Sequence, residues 1–387
     1  MKGDGNMLNS RQRVLTVLSH KLPDRVPLDL CNSASFINDP AYFALKNHLN
    51  LKEEISPFRN GFTANYYDEK LLEALEIDFR HVWLKPPNTS NGRFNHDGTI
   101  VDEWGIKYQF LGNEKAIVLN PLDGLDETDL DKYPWPDPYN AGRVDGIAER
   151  AEYLARNTNY AVSAHAAHYF GFFDNGWILR GFERFMMDLV SNKKFIYKLL
   201  DKLLNIYLGL YDIYLDKVGG YVQMVAYSED FGMQSAPFIS PSMYKEIFFP
   251  LHKELFSFIK QKAPNAKVML HTCGAVYPFI PYFIEAGVDV LNPIQNLAKD
   301  MNPIKIKKEY GSELVFHGGI DMQRALCGTV DDVKVEVQAR MKDLGKDGGY
   351  IIAPANVIQG ETPPENIITL YQTAIKYGQY NMKTKWE

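Results

Sequence analysis

Eight short apolar runs, most of them separated by helix-like stretches, constrain this 387-residue chain more than any other feature. They are Arg25–Leu30, Phe79–Leu84, Tyr160–His165, Tyr221–Tyr227, Lys267–His271, Val288–Leu291, Leu314–His317 and Gly349–Pro354. From residue 160 onward a helix-like stretch follows each run, such as Pro241–Lys262 after the fourth and Val330–Leu344 after the seventh. Eight β-then-α units predict an α/β fold, a (β/α)8 TIM barrel, rather than separate domains. With 45% apolar residues the chain can bury one core of that size, so residues 1–387 are expected to form a single domain. Ser10 to His20 reads as an amphipathic N-terminal helix with Val14, Leu15 and Leu18 on one face, closed by Pro23. Residues 91–120, rich in Gly, Asp and aromatics with alternating apolar positions, read as a β-rich insertion, a hairpin or meander.

Net charge is −6 with scattered Lys and Arg, which offers no footprint for nucleic acid or an anionic membrane. The first residues, Met1-Lys-Gly-Asp-Gly, lack the apolar core of a signal peptide, and no run has the roughly 18–20 apolar residues of a membrane helix. Three cysteines make no disulfide framework. A cytoplasmic location follows as the expectation, with thiols kept reduced.

In a TIM barrel, chemistry gathers at the C-terminal ends of the strands. Those ends carry Asp29 and Cys31, His165 and His168, then Tyr227, Glu229 and Asp230. The later ones carry His271 and Cys273, Asn292 and Gln295, His317, and Asn356 and Gln359. His271 and Cys273 stand two residues apart, and side chains at i and i+2 of a strand share a face. An imidazole and a thiolate converging on one point can supply half of a tetrahedral Zn2+ site. The alternatives are a Cys273 nucleophile with His271 as its base, or a buried Cys beside a satisfied His.

Several segments together resemble the uroporphyrinogen decarboxylase-like superfamily over nearly the whole chain. They are Arg11-Gln-Arg-Val-Leu with Pro23-Asp-Arg-Val-Pro, Glu229-Asp-Phe-Gly running on to Ile239-Ser-Pro-Ser-Met-Tyr, and His271-Thr-Cys-Gly. Glu285-Ala-Gly-Val-Asp-Val-Leu-Asn-Pro, Phe316-His-Gly-Gly-Ile-Asp and Ala353-Pro-Ala-Asn-Val-Ile-Gln complete the set. The resemblance implies a (β/α)8 barrel. The decarboxylases of this superfamily carry an Arg-rich segment after the first strand that pairs with substrate carboxylates. Here that place reads Leu30-Cys-Asn-Ser-Ala-Ser-Phe, without arginine, which disfavours decarboxylation of a porphyrinogen. The methyltransferase branch carries a His-x-Cys zinc motif, matched by His271 and Cys273. Its coenzyme M members place a further cysteine after the eighth strand, where this chain has Asn356 in Pro354-Ala-Asn-Val. The bacterial O-demethylase type is therefore the nearer resemblance.

A stable zinc site needs at least three protein ligands. Glu229, at the end of the strand before His271, is the favoured third ligand, with Cys31 and Cys327 as alternatives. Asp230, read as lying on the opposite side of that extended segment, is assigned to hydrogen-bond a ligand or the histidine. Tyr227, His165, His317 and Asn356 are the remaining candidate substrate contacts. The aromatics Tyr169, Phe170, Phe172, Phe173, Trp177 and Phe231 read mainly as helix–barrel packing.

The resemblance implies a methyltransferase that uses Zn2+, held by His271 and Cys273, as a Lewis acid. A methyl group would pass from a methoxylated aromatic, or a similar small methylated molecule, to a corrinoid (cobalamin). The chain holds no Asp-x-His-x-x-Gly corrinoid signature, so that cofactor is expected on a separate protein docking at the barrel mouth. A methylcobalamin:thiol methyltransferase, a decarboxylase with an unusual substrate and a non-catalytic corrinoid-protein binder are the alternatives. A homodimer is compatible with all of them.

Overall fold

Burial alternates with strand and helix as a barrel requires, in a computed structural model that describes residues 7–30, 35–52, 67–89, 95–111 and 114–380. The strands are β1 (Phe79–Val82), β2 (Thr99–Val101), β3 (Lys107–Leu111), β4 (Glu114–Leu119), β5 (Ala161–Ala164) and β6 (Met224–Ser228). They continue with β7 (Lys267–His271), β8 (Val290–Asn292), β9 (Val315–His317) and β10 (Tyr350–Ile351). Seven of them form one parallel sheet in the order β1-β5-β6-β7-β8-β9-β10.

The ring is closed by residues 25–30. Leu28 pairs in parallel with Ile352, the Asp29 and Ile352 amides exchange bonds of 3.0 Å with Ile352 and Pro27, and the Asp78 amide donates to the Leu28 carbonyl at 2.9 Å. This run is the eighth barrel position that the apolar pattern predicts. It is bridged rather than laddered, because Pro27 brings no N–H to a neighbour.

Inside the ring, Phe79, Ala161, Met224, Ala226, Met269, Val290, Val315 and Ile351 form one apolar cluster with Val14, Val17 and Leu18. Those last three belong to the helix Ser10–Leu18, whose Asn9 and Gln12 make a reciprocal capping box. Its buried stripe is Val14, Val17 and Leu18, whereas Leu15, expected on that face, is 42% exposed. The helix is fixed to the barrel by ion pairs. Arg13 meets Asp24 and Asp78, each at 2.7 Å, and Arg25 meets Asp78 at 2.8 Å. Asp78 is fully buried, and its Oδ2 also accepts the Leu28 amide at 2.8 Å. The Arg-x-Arg and Pro-Asp-Arg segments thus hold helix, first strand and β1 together.

Strands β2, β3 and β4 form the antiparallel meander expected within the insertion. Its buried Trp104, Ile106 and Tyr108 turn inward. Trp104 packs on His168, ring centroids 4.8 Å apart, and on Tyr207 at 6.3 Å, so the meander leans on the loop that follows β5. No helix among the described residues is long and apolar enough to cross a membrane.

Candidate metal centre

Parallel pairing fixes which side chains face the barrel axis. Strands β6 and β7 run in register with Ser228 opposite His271 and Tyr227 opposite Leu270. Met224, Ala226 and Met269 lie in the interior cluster, so Ser228 and Asp230 continue the inward side of β6, and His271 and Cys273 that of β7. Two glycines then draw the ends of these segments together. A Cβ on Gly274, whose φ is +84°, would lie 2.3 Å from the Gly232 carbonyl carbon. One on Gly232 would lie 2.6 Å from the Cys273 oxygen and the Ala275 nitrogen. Only backbones without a Cβ can approach so closely. Both Asp-Phe-Gly and Thr-Cys-Gly need their glycine for that reason.

This approach sets Asp230, His271 and Cys273 around one point. His271 Nε2 lies 3.4 Å from Cys273 Sγ and 3.6 Å from Asp230 Oδ1. Asp230 Oδ1 also accepts the Cys273 amide at 2.7 Å. All three ligand atoms fall within 4.8 Å of one another, and no second set of three such side chains does so among the described residues. A tetrahedral Zn2+ with bonds of about 2.0–2.3 Å keeps its ligand atoms about 3.3–3.8 Å apart, so the observed spacings fit that ion.

The electrostatics agree. Burial, then the Asp230 carboxylate beside it, push the Cys273 thiol well above its usual range. A cation set beside the sulfur would favour the thiolate and take the place of the thiol proton. Gln295 Nε2 and Asn356 Nδ2 each donate to Sγ at 3.2 Å and would stabilise a thiolate. Burial, then Asp230 and Glu229, push the Asp174 carboxyl well above the usual carboxylate range. Asp174 accepts the Asp230 amide at 2.7 Å.

The expected ligand Glu229 is turned elsewhere. It is fully buried and faces outward with Tyr227, where Oε1 accepts the Phe173 amide and Oε2 accepts from Tyr227 at 3.1 Å and meets His252 Nε2. His252 Nδ1 is 2.8 Å from the Tyr244 hydroxyl. Glu229 therefore anchors the N-terminus of the helix Phe172–Arg180 and the buried face of the helix Phe249–Lys262. Asp230 takes the place foreseen for it. The register carries the signal: counting in twos forward from Ser228, the partner of His271, selects Asp230 and rejects Glu229.

The other candidates divide. Asn356 sits against Cys273, as its place after the last strand implies. Tyr227 is buried outside the ring, with its hydroxyl 3.1 Å from the Phe172 amide, and cannot line the mouth. His317 is wholly buried between Asn292 and Asp29. His165 is buried at the end of β5 with its ring 5.7 Å from Trp83. His168 packs in the aromatic group of Trp104 and Tyr207. Phe172, Phe173 and Phe231 are buried packing residues. Cys327 is exposed and apart from the cluster, and Cys31 lies outside the described residues. Two further residues matter most, Asn292, named from sequence only as a strand-end residue, as the partner of His271 Nδ1, and Asp174, not singled out, behind Asp230.

Beside the cluster a cavity of about 220 Å³ is lined by Gln234, Gln295, Asn296, Asn356 and Gln359 with Met322. Gln295 and Asn356, which donate to the Cys273 sulfur, also line this cavity.

A solved structure shares this architecture. The chain superposes on a solved structure described as a methyltransferase from Methanosarcina mazei with a TM-score of 0.63 and 17% identity, covering 96% of this chain and 99% of that one. An endo-1,4-beta-mannanase from Rhizomucor miehei aligns at a TM-score of 0.43 and 12% identity, over 79% of this chain and 87% of its own. No curated protein matches in sequence. The profile of the family described as Uroporphyrinogen decarboxylase (URO-D) matches residues 98–377, from β2 to the end of the last helix. The chain belongs to the URO-D family.

Proposed function

We propose that the protein is a zinc-dependent methyltransferase, in which Asp230, His271 and Cys273 hold the ion and the adjoining cavity receives a small methylated molecule. The triangle of Asp230 Oδ1, His271 Nε2 and Cys273 Sγ, with spacings of 3.4 and 3.6 Å, carries this reading. A fold shared with a structure described as a methyltransferase, and a rim without the arginines of porphyrinogen decarboxylases, support it further. When bound, Zn2+ supplies Lewis-acid stabilisation to the oxygen of a methyl ether as its bond to carbon breaks.

The residues of the chain prepare that chemistry. Asp230 and the Cys273 thiolate bring two negative charges, which neutralise a dication and moderate its acidity. Gln295 and Asn356 draw charge from the sulfur through their N–H donors. Three protein ligands would leave one position of a tetrahedral ion for substrate. The methyl–oxygen bond breaks with its electron pair staying on the phenolic oxygen. The methyl group passes to a reduced corrinoid carried by a separate cytoplasmic protein that docks over the mouth.

Two measurements test the proposal. Purified protein should contain about one zinc per chain, lost in C273S and D230A. Metal-loaded enzyme should demethylate methoxyaromatics with reduced corrinoid protein as acceptor. Consumption of thiols with methylated corrinoid protein, and none of methoxyaromatics, would move the assignment to a thiol methyltransferase. Full zinc retention in both variants would remove the centre.

A further inference from the structure

We infer that Asn292 is a positioning residue that holds His271 as its Nδ1–H tautomer, so that Nε2 presents a lone pair between Asp230 and Cys273. The inference rests on the metal reading of that triangle, and deepens it by assigning the group that prepares the nitrogen ligand.

The argument follows a buried chain of hydrogen bonds around the barrel. His271 Nδ1 meets Asn292 Oδ1. Asn292 Nδ2 lies 2.6 Å from His317 Nδ1, His317 Nε2 lies 2.8 Å from Asp29 Oδ2, and Asp29 Oδ1 lies 2.9 Å from His81 Nε2. His271, Asn292, His317, Asp29 and His81 are each no more than 3% exposed. They occupy inward positions at the ends of β7, β8, β9, the closing segment 25–30 and β1.

Two groups that can only accept fix the direction of every proton. Asn292 Nδ2 also points at the backbone carbonyl of His317, at 3.3 Å. A carbonyl accepts and cannot donate, so this end of the amide is the NH2 group and the end facing His271 is the oxygen. Facing an oxygen, His271 Nδ1 must carry the proton. From the other side, burial works against the Asp29 carboxylate, yet the adjacent His81 and His317 hold it well below the usual carboxylate range. It accepts from both rings, which sets His317 as Nε2–H with Nδ1 free to accept from Asn292. Both ends give one consistent polarity, and Nε2 is then the nitrogen that carries the lone pair in the neutral His271 ring.

The site is shaped for this amide. Gly318, at φ +83°, lies beside Asn292, and a Cβ there would come within 2.9 Å of Nδ2. A metal ligand imidazole commonly gives its other N–H to an oxygen that fixes ring and tautomer, and removing that oxygen weakens binding about 10–100-fold.

The test uses the full chain with nitrogen-15 histidine, free of metal, and His271→Gln to assign the signal. Nitrogen shifts should report Nδ1–H for His271 and Nε2–H for His317. In Asn292→Ala, His271 should lose its Nδ1–H preference and Zn2+ should bind about 10–100-fold more weakly in chelator competition. Asn292→Asp keeps the acceptor for Nδ1–H and should restore both readouts, which a merely structural role would not produce. An Nε2–H signal for His271 in the wild type would overturn the inference. So would an alanine variant that keeps both readouts, or an aspartate variant no better than alanine. A wild type that shows Nδ1–H yet takes up no zinc would support the tautomer assignment while refuting the metal reading.

Discussion

Adjacent carboxylates with opposite duties give a clean double dissociation. Glu229 is fully buried and satisfies three donors, the Phe173 amide, the Tyr227 hydroxyl and His252 Nε2. Glu229→Ala strands all three in a core position, and opens a gap behind helix Phe172–Arg180. Each buried unsatisfied donor costs about 1–3 kcal/mol, partly relieved by relaxation, and loss of one partner from a buried pair costs about 3–5 kcal/mol. The expected destabilisation is therefore about 3–5 kcal/mol. The Asp230 side chain is 43% exposed and its deletion frees only the Cys273 amide, an effect of about 0.5–1.5 kcal/mol. Urea unfolding in the presence of chelator measures both without a metal contribution. Zinc content is then read on the folded fraction. Asp230→Ala should unfold nearly as the wild type and lose zinc, whereas Glu229→Ala should be strongly destabilised. Refutation would be the reverse pattern, a stable Glu229→Ala protein without zinc beside a zinc-replete Asp230→Ala protein.

Three further outcomes follow from the same geometry. Gly274→Ala places a Cβ 2.3 Å from the Gly232 backbone at φ +84°, so it should lower both stability and zinc content, and wild-type values in both would contradict the close approach. Gln295→Leu removes a donor that lowers the Cys273 pKa, so alkylation of Cys273 in metal-free protein at fixed pH should slow, and a faster rate would be inconsistent with it. Asp29 has a depressed pKa in the folded protein, held down against burial by His81 and His317. Its stabilisation is fully present above the unfolded value of about 4 and is lost as pH falls below it. The stability gap between wild type and Asp29→Asn should therefore narrow on acidification, and a gap that widens would refute the assignment.

Much of this was legible in the residues. The eight apolar runs name the barrel positions because a parallel strand buried on both faces must be apolar throughout. The i, i+2 spacing of His271 and Cys273 puts both side chains on one face of a strand, and the structure brings them within 3.4 Å. What failed was the choice between neighbours. Glu229 and Asp230 both follow directly on β6, and only the register with β7 says which faces inward. Register is a property of two strands together, set by packing across the ring rather than by either segment alone. The same holds for Asn292, whose role depends on three strands meeting His271. Tyr227 and His317 were drawn to the site by polarity. In the fold their polar atoms are spent on buried partners, as buried polar groups must be.

The most direct test is X-ray absorption at the zinc edge on purified full-length protein, with metal content measured in parallel. One zinc per chain with a single sulfur at about 2.3 Å and nitrogen or oxygen neighbours at about 2.0–2.2 Å is the expected result. The sulfur shell should vanish in Cys273→Ser. A zinc shell with two or more sulfurs, or one unchanged in Cys273→Ser, would contradict a centre built from Asp230, His271 and Cys273.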